Sequence, residues 1–513
     1  MKALLSTYDR TGLGDFASSL VESGFELVST GGTGSALEKA GFTVCKVSDL
    51  TKSPEMMDGR VKTLHPSIHA GILARRDVKS DLDELDANGI DTIDLVACNL
   101  YPFIETVSRG VVDLGDALEK IDVGGPTMVR AAAKNFPGVI VIVDPSDYLW
   151  IGKRLSSARD SNPLSAISME ERRGLARKAF QHIAYYDTAV SQFLGAVDPL
   201  IDSEVTLGYT QHAKLRYGEN PHQRASVYAN PLTTGGIVRS DQLHGTDLSF
   251  TNFLDADAAW LAVNDFSEPA VTVVKHTNPC GLAIHNDQPT AYRRAFDGDS
   301  VSAYGGIVGF NRTVTKATAE AMRGVLYHIV IAPDYEVDAL AILRRRKQLR
   351  ILKAKAAPGE SEDFDLRLIS GGALIQSTDT LDEDPASWQV VTKLTPTPAQ
   401  LEDLSFAWKA SKHIKSNTIV LAKGKTMVGM GTGQPNRVTS VHLALRIAGE
   451  KANGSIMASD AFIPFPDSIE LASEDGVVSV VQPGGSLRDD DVIEAANRLN
   501  ISMVFTGVRH FKH

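Results

Sequence analysis

The stretch Val273-Val274-Lys275-His276-Thr277-Asn278-Pro279-Cys280-Gly281 sets a cation beside an imidazole where an apolar run breaks on Asn-Pro and Gly. A surface loop can carry such a pair without using it. A zinc site would use the His and the Cys, and a catalytic site would use the Lys and the His. Zinc sites take three or four protein ligands, and nucleobase deaminases place a Cys-x-x-Cys after a Pro. Here Gly281, Leu282 and Ala283 follow Cys280, and no second cysteine is near. The zinc reading is weak, which leaves Lys275 and His276 as loop decoration or as catalytic groups.

Four constellations in the first third of the chain invite the same question. Gly31-Gly32-Thr33-Gly34 lies between a strand-like and a helix-like segment, where free backbone N–H groups attract phosphate. Gly59 to Pro66 carries Arg60 and Lys62 on one side if extended, with Thr63 and His65 on the other. Asn99 and Tyr101 follow the apolar run Leu95 to Cys98, and ligands of open α/β sheets bind beyond the carboxyl ends of strands. Asp122, Gly124, Gly125 and Pro126 then open an Ala-rich helix bearing Arg130 and Lys134 one turn apart, a second candidate anion cradle. Taken singly, each is equally an ordinary turn, a solvated basic loop or a capped helix.

These residues need a scaffold, and its periodicity is legible. Strand-like runs at Lys2–Leu5, 25–28, 42–47, 93–98 and 139–143 alternate with helical segments such as Leu13–Glu22, which predicts a doubly wound parallel α/β domain. A long helical pattern covers Met169–Leu194, and Gly195 to Pro199 follows as a domain boundary. Beyond it, buried-looking strands at 270–274, 307–310 and 418–421 are separated by Gly-rich turns. Lys347 to Asp365 reads as a charged, solvated connection, and no fixed-period repeat is visible. The cationic terminus Arg509-His510-Phe511-Lys512-His513 reads as a frayed end.

The bulk numbers bound the function. The 513 residues suggest roughly three domain-sized units. Charges of 52 basic against 63 acidic give −11, a poor basis for nucleic-acid binding, which depends on neutralising phosphates. Three scattered cysteines, Cys45, Cys98 and Cys280, imply a reducing compartment. The opening MKALLSTYDRTG lacks the signal-peptide pattern, and no apolar run reaches the ~18 residues of a membrane span. The expectation is a cytoplasmic protein.

The motifs GGTG, GRVKTLHP, CNLYPF, IDVGG, RAAAKN, LRYGENPHQ, KHTNPCG, SAYGG, SNTIVLAK, GTGQPNR, SDAFIPFPD, QPGGS and RHFKH, in this order over nearly the whole chain, resemble one family. Its members are the bifunctional purine-synthesis enzymes that join 5-aminoimidazole-4-carboxamide ribonucleotide (AICAR) formyltransferase to IMP cyclohydrolase. The resemblance implies a Rossmann-like, methylglyoxal-synthase-like cyclohydrolase domain over 1–197. It implies a formyltransferase region over 198–513, built from two cytidine-deaminase-like α/β subdomains without zinc, about 198–365 and 366–513. It also implies 10-formyltetrahydrofolate as co-substrate, no metal, and a homodimer with formyltransferase sites between subunits.

Roles follow from the same resemblance. His276 is the general base that assists attack of a poorly nucleophilic amine, Lys275 its electrostatic or acid partner, and Asn417 orients the amine. Arg216, Tyr217 and Arg509 hold the nucleotide, while Asn252, Phe462 and Pro464 line the site. In the cyclohydrolase half Lys62 steadies the oxyanion, and Tyr101, Asp122 and Lys134 relay protons. Ser6, Arg10, Thr33, Arg60 and Thr63 hold phosphate and ribose, with Gly31, Gly32, Asn99, Gly124 and Gly125 as further contacts.

The chain departs from the family pattern at Tyr8 and Arg10 in the first loop, at His328 where an acidic residue is usual, and at Ile463 where a second Phe is common. Three other readings compete: a chain with one decayed half, a nucleotide sensor without turnover, and a metal-dependent deaminase.

Overall fold

The computed structural model describes residues 1–57, 59–108, 112–158, 163–195, 202–355 and 364–513. The chain divides into two compact units, Met1–Tyr209 with Asn230–Leu232, and Thr210–Ala229 with Thr233–His513.

The first unit is the expected parallel α/β domain. Its strands β1 (Lys2–Thr7), β2 (Glu26–Ser29), β3 (Val44–Lys46), β4 (Leu95–Asn99) and β5 (Ile140–Ile142) form one sheet in the order β3-β2-β1-β4-β5, with every pair parallel. β4 and β5 are buried along their whole length, as apolar runs covered on both faces should be. The helices Leu13–Glu22 and Met169–Leu194 form as read. Ser168 and Glu171 start the second with a reciprocal capping box. The boundary expected at 197/198 lies outside the described residues.

The second unit opens with the hairpin β6 (Thr210–Leu215) and β7 (Ala225–Ala229). A six-stranded mixed sheet follows, built from β8 (Asp241–His244), β9 (Ala270–Lys275), β10 (Asn278–Ile284), β11 (Gly306–Phe310), β12 (Tyr327–Ala332) and β13 (Arg350–Lys353), in the order β10-β9-β11-β12-β13-β8. After the hairpin β14 (Phe364–Ile369) and β15 (Gly372–Ser377) comes a second mixed sheet. Its strands are β16 (Gln389–Val390), β17 (Ile419–Ala422), β18 (Met427–Gly431), β19 (Ile456–Ser459), β20 (Ser479–Gln482) and β21 (Ser502–Phe505), in the order β16-β21-β20-β19-β17-β18.

The two sheets repeat one plan. A capped helix (Phe250–Asn264, then Pro398–Lys412) leads into an antiparallel hairpin (β9-β10, then β17-β18). One further antiparallel pairing and two parallel pairings complete each set of five strands, with helices between them. The sequence showed no repeat because the two copies share a hydrophobic pattern rather than residues.

Two other expectations fail. Within the supposed solvated connection, β13 pairs parallel with β12, and Ile351 and Leu352 are fully buried. Two apolar residues flanked by cations are too short a signal to read, yet burial on both faces of a sheet decides their state. Residues 356–363 lie outside the described set. The C-terminus is not frayed: His510 is buried, its Nδ1 lies 2.6 Å from Asp379 Oδ2, and its Nε2 lies 3.2 Å from Glu383 Oε1. Ser416 N–H donates to the Lys512 carbonyl at 2.8 Å. Ile463 is fully buried in the core beside the second sheet. Among the described residues no helix is long and apolar enough to cross a membrane.

Candidate functional site

In the first unit a cleft of about 580 Å³ opens at the carboxyl edge of the sheet, within the range of small-molecule sites. β1 and β4 are neighbours in space although β2 and β3 intervene in the chain. They therefore mark the switch point where open α/β sheets bind ligands. Ser6, Thr7 and Tyr8 reach the cleft from the end of β1, and Asn99 and Tyr101 from the end of β4.

Two helix N-termini border the same space. Thr30, Gly32 and Thr33 belong to the start of the helix Gly31–Lys39, and Gly124, Gly125 and Met128 to that of Gly124–Lys134. A helix start of this kind can offer backbone N–H groups to an anion, but at the second one the Gly124 and Gly125 N–H groups are already taken by Asp122. The glycines allow side chains to come close. A Cβ on Gly32 would sit 2.8 Å from Arg10 Nη2, and one on Gly124 would sit 2.6 Å from Thr63 Oγ1.

The cleft is internally braced. Asn99 Oδ1 accepts the N–H groups of Tyr8 at 2.6 Å and Asp9 at 2.9 Å, and its Nδ2 donates to the Asp9 carbonyl at 2.8 Å. Asn99 therefore shapes the first loop as well as facing the cleft. Thr33 Oγ1 accepts from Thr7 N–H at 3.0 Å and donates to the Thr7 carbonyl at 2.9 Å. Tyr8, one of the departures, packs edge-on against Tyr101 with ring centroids 5.9 Å apart. Arg60 is paired with Glu119.

Arg60, Lys62 and Thr63 all line the cleft, so the strict alternation expected of an extended stretch fails. The chain bends there, with Met57 and Gly59 left-handed. His65 instead caps the helix Pro66–Leu73, its Nδ1 accepting Ser67 N–H at 3.2 Å.

Asp122 is the most tuned group here. Burial raises its carboxyl, while the Gly125 N–H, the Lys62 charge and the Gly124 N–H pull it down; the balance stays above the ordinary carboxylate range. Its Oδ1 accepts Gly125 N–H at 2.9 Å, and its own N–H donates to Tyr186 Oη at 2.8 Å. Sequence reasoning missed Tyr186, which lies in the long helix Met169–Leu194 and carries no local signal.

Lys134 is not with them. It is exposed at the far end of the helix Gly124–Lys134, beside Arg130, Arg173 and Phe180. A rise of 1.5 Å per residue puts it roughly 15 Å along the axis from Gly124, beyond the reach of a lysine side chain.

In the second unit Lys275 and His276 sit at the tip of the hairpin β9-β10. Lys275 Nζ donates to the Tyr304 carbonyl at 2.9 Å. His276 is exposed, and Thr277 N–H donates to Asp255 Oδ1 at 2.7 Å. His328, at the start of β12, is pushed down by partial burial and then by the charges of Arg350 and Lys275. Tyr217 neighbours Arg350, and the Arg216 guanidinium lies 5.7 Å from the Tyr217 ring centre.

Asn278 ties this turn to the second repeat. Its Oδ1 accepts from Thr432 Oγ1 at 3.3 Å and from Lys415 N–H at 3.4 Å. Next in the chain, Asn417 follows a cis peptide bond after Ser416. Its Oδ1 accepts from Arg437 Nη2 at 2.7 Å, and its Nδ2 donates to the Gln434 carbonyl at 2.8 Å. Arg437 is itself buried against Asp460, Nη1 to Oδ1 2.5 Å. Arg437 and Asp460 were not singled out as site residues in the sequence, and they fix the orientation of the Asn417 amide.

Other expected contacts are placed as follows. The structure uses Asn252 to cap the helix Phe250–Asn264, exchanging bonds of 3.2 Å with Ser249. Phe462 is exposed and Pro464 partly so. Arg509 is exposed, its guanidinium 4.7 Å from the Phe511 ring centre. Cys280 is buried, its thiol donating to the Val273 carbonyl at 3.3 Å. Among the described residues no group of three His, Cys, Asp or Glu side chains could hold a metal ion.

Comparison with known proteins matches the chain to two family models. "MGS-like domain" covers residues 12–127, and "AICARFT/IMPCHase bienzyme" covers 132–447. A Dictyostelium discoideum protein named bifunctional purine biosynthesis protein purH is 49% identical over the full length of both chains. Proteins of the same name from a Thermoanaerobacter strain and from Bacillus cereus are 48% and 46% identical, covering all of this chain and 99% of theirs.

Proposed function

The chain belongs to the AICARFT/IMPCHase bienzyme family, and we propose that its two units divide the two reactions between them. The protein is a bifunctional enzyme of purine biosynthesis. It transfers a formyl group from 10-formyltetrahydrofolate to AICAR and closes the product, with loss of water, to IMP.

Ring closure belongs to the first unit. The observation that carries this is the meeting of Lys62, Tyr101 and Asp122 in one cleft bordered by two helix N-termini. The reaction is intramolecular, so holding one rotamer supplies much of the rate. The N-terminus of the helix Gly31–Lys39, with Ser6, Arg10, Thr33, Arg60 and Thr63, holds phosphate and ribose. Lys62 steadies the oxyanion as the carboxamide nitrogen attacks the formyl carbon. Asp122, raised by burial, takes a proton from that nitrogen, and Tyr101 returns one to the departing hydroxyl.

Formyl transfer belongs to the second unit. The AICAR amine is weakened by conjugation with the ring carboxamide, so it needs a base as it attacks. His276 takes its proton and returns it to N10 of tetrahydrofolate as the bond from N10 to the formyl carbon breaks, Lys275 steadies the oxyanion, and Asn417, locked by Arg437 and Gln434, orients the amine. Arg216, Tyr217, Arg509, Phe462 and Pro464 complete the nucleotide and folate contacts. A homodimer with these sites between subunits is part of the reading, and sedimentation tests it.

Residues 1–209 expressed alone are expected to fold and to convert formylated AICAR to IMP at near-native rate, since they make up all of one compact unit except Asn230–Leu232. An insoluble or inactive fragment beside an active intact chain would sink the division of labour.

We also read the repeated halves of the second unit as deaminase-like subdomains that work without zinc. Their shared topology and the buried, hydrogen-bonded Cys280 support this. Both activities are expected to persist after dialysis against a strong chelator. Loss on chelation with recovery on added zinc would refute it.

A further inference from the structure

We infer that Asp255 is a positioning residue for formyl transfer: its carboxylate clamps the left-handed turn that aims His276. The inference rests on His276 being the base and deepens that reading.

Lys275 and Asn278 pair across β9 and β10, so the loop between them has two residues. His276 has φ 52° and Thr277 φ 64°. Two successive left-handed residues make the hairpin turn that normally takes Asn-Gly or Gly-Gly. A side chain with a Cβ is strained there, and a β-branched one most of all. The bond from Thr277 N–H to Asp255 Oδ1, at 2.7 Å, holds the backbone of a left-handed residue from outside the hairpin. Asp255 lies on the helix Phe250–Asn264, which is rigidly capped by Ser249 and Asn252.

The second repeat contains the same device without the chemistry. Its helix Pro398–Lys412 is capped by Thr397 and Gln400 in the same manner. Asp403 is the sixth residue of that helix, as Asp255 is of its own. The carboxylate of Asp403 accepts Gly424 N–H at 2.8 Å and Lys425 N–H at 2.6 Å. Gly424 and Lys425 have φ 61° and 52°, and a lysine precedes both turns, Lys275 and Lys423. The position filled by Gly424 in one repeat is filled by His276 in the other. Glycine enters the left-handed region freely, whereas His276 and Thr277 do not. The first repeat therefore depends on its aspartate to keep a reactive side chain where the second keeps a glycine.

The test compares five variants of the intact enzyme by steady-state kinetics and thermal melting. Asp255→Ala is expected to lower kcat for formyl transfer about 30- to 100-fold through misplacement of the base. KM values should stay within about twofold, with ring closure unchanged, because the lost contact aims a group rather than binding substrate. Asp403→Ala is expected to leave formyl transfer within about threefold, since its turn carries no reacting group and has a glycine, free to be left-handed, at the position matching His276.

Adding Thr277→Gly to Asp255→Ala should restore kcat to within about fivefold, because glycine takes the left-handed conformation unaided. Failure of that restoration in a folded double variant, or native kcat in Asp255→Ala, overturns the clamp. If Asp255→Ala does not fold, Asp255→Asn decides, since its carbonyl oxygen can still accept the bond. It should retain kcat within about fivefold, and a larger loss overturns the proposal. His276→Ala separates the two levels: activity surviving in that variant defeats the base assignment itself, whereas activity lost there but kept in Asp255→Ala defeats only the clamp.

Discussion

His276→Ala is expected to lower formyl transfer by roughly 10²–10⁴-fold, the usual contribution of a positioned general base, while ring closure by the same chain proceeds at its normal rate. The substrate amine donates its lone pair into a ring bearing a carboxamide, so without a base it attacks as a poor nucleophile and must shed its proton unaided. The imidazole is exposed at the tip of β9-β10 and therefore open to substrate. Lys275 beside it is held by the Tyr304 carbonyl at 2.9 Å, so it cannot swing in to replace the imidazole without breaking that bond. The measurement is kcat for formyl transfer in one assay and conversion of preformed formyl-AICAR to IMP in a second. Near-native formyl transfer in the variant would return the Lys-His pair to loop decoration.

Asp122→Asn is expected to slow ring closure by roughly 10²–10⁴-fold and to leave formyl transfer intact. Its pH dependence makes the claim sharper. Burial raises the Asp122 carboxyl despite the Gly125 N–H, the Lys62 charge and the Gly124 N–H. The acid limb of ring closure in the parent enzyme should therefore lie above the ordinary Asp value of about 4. A limb at or below that value would show that Asp122 is not the titrating base.

Stability follows with a definite sign. A carboxyl whose folded pKa exceeds its unfolded one binds its proton more tightly when folded. Its contribution is complete below the unfolded pKa and is lost as the pH rises through the folded value. Asp122→Asn removes that loss. Relative to the parent, the variant should melt higher at pH 7 than at pH 4, read as the difference in Tm. Equal differences at both pH values would contradict the burial argument.

Much of this protein is set by sequence within a few residues' reach. The helices Leu13–Glu22 and Met169–Leu194 form where periodicity and the Ser168–Glu171 box place them, because caps and amphipathic spacing are local properties. Apolar runs divided by helical segments fix a parallel sheet, since only burial on both faces suits them. The glycines at 31–32 and 124–125 mark the two helix starts that border the cleft. Even the distance of Lys134 from that cleft is implicit, because an eleven-residue helix has a fixed length.

Tertiary structure decided the rest, where partners come from far along the chain. Tyr186 meets the Asp122 N–H across 64 positions, and Arg437 meets Asn417 across 20. No local pattern encodes such pairs. Ile351 and Leu352 become a core strand only because β12 and β8 already flank them. His510 is buried only because Trp408, Asp379 and Glu383 assemble around it. The correspondence of Asp255 with Asp403 appears only once the two helix-hairpin units are laid side by side. Each aspartate's bond depends on a turn conformation, and that conformation is a property of the folded hairpin rather than of the residue types in it.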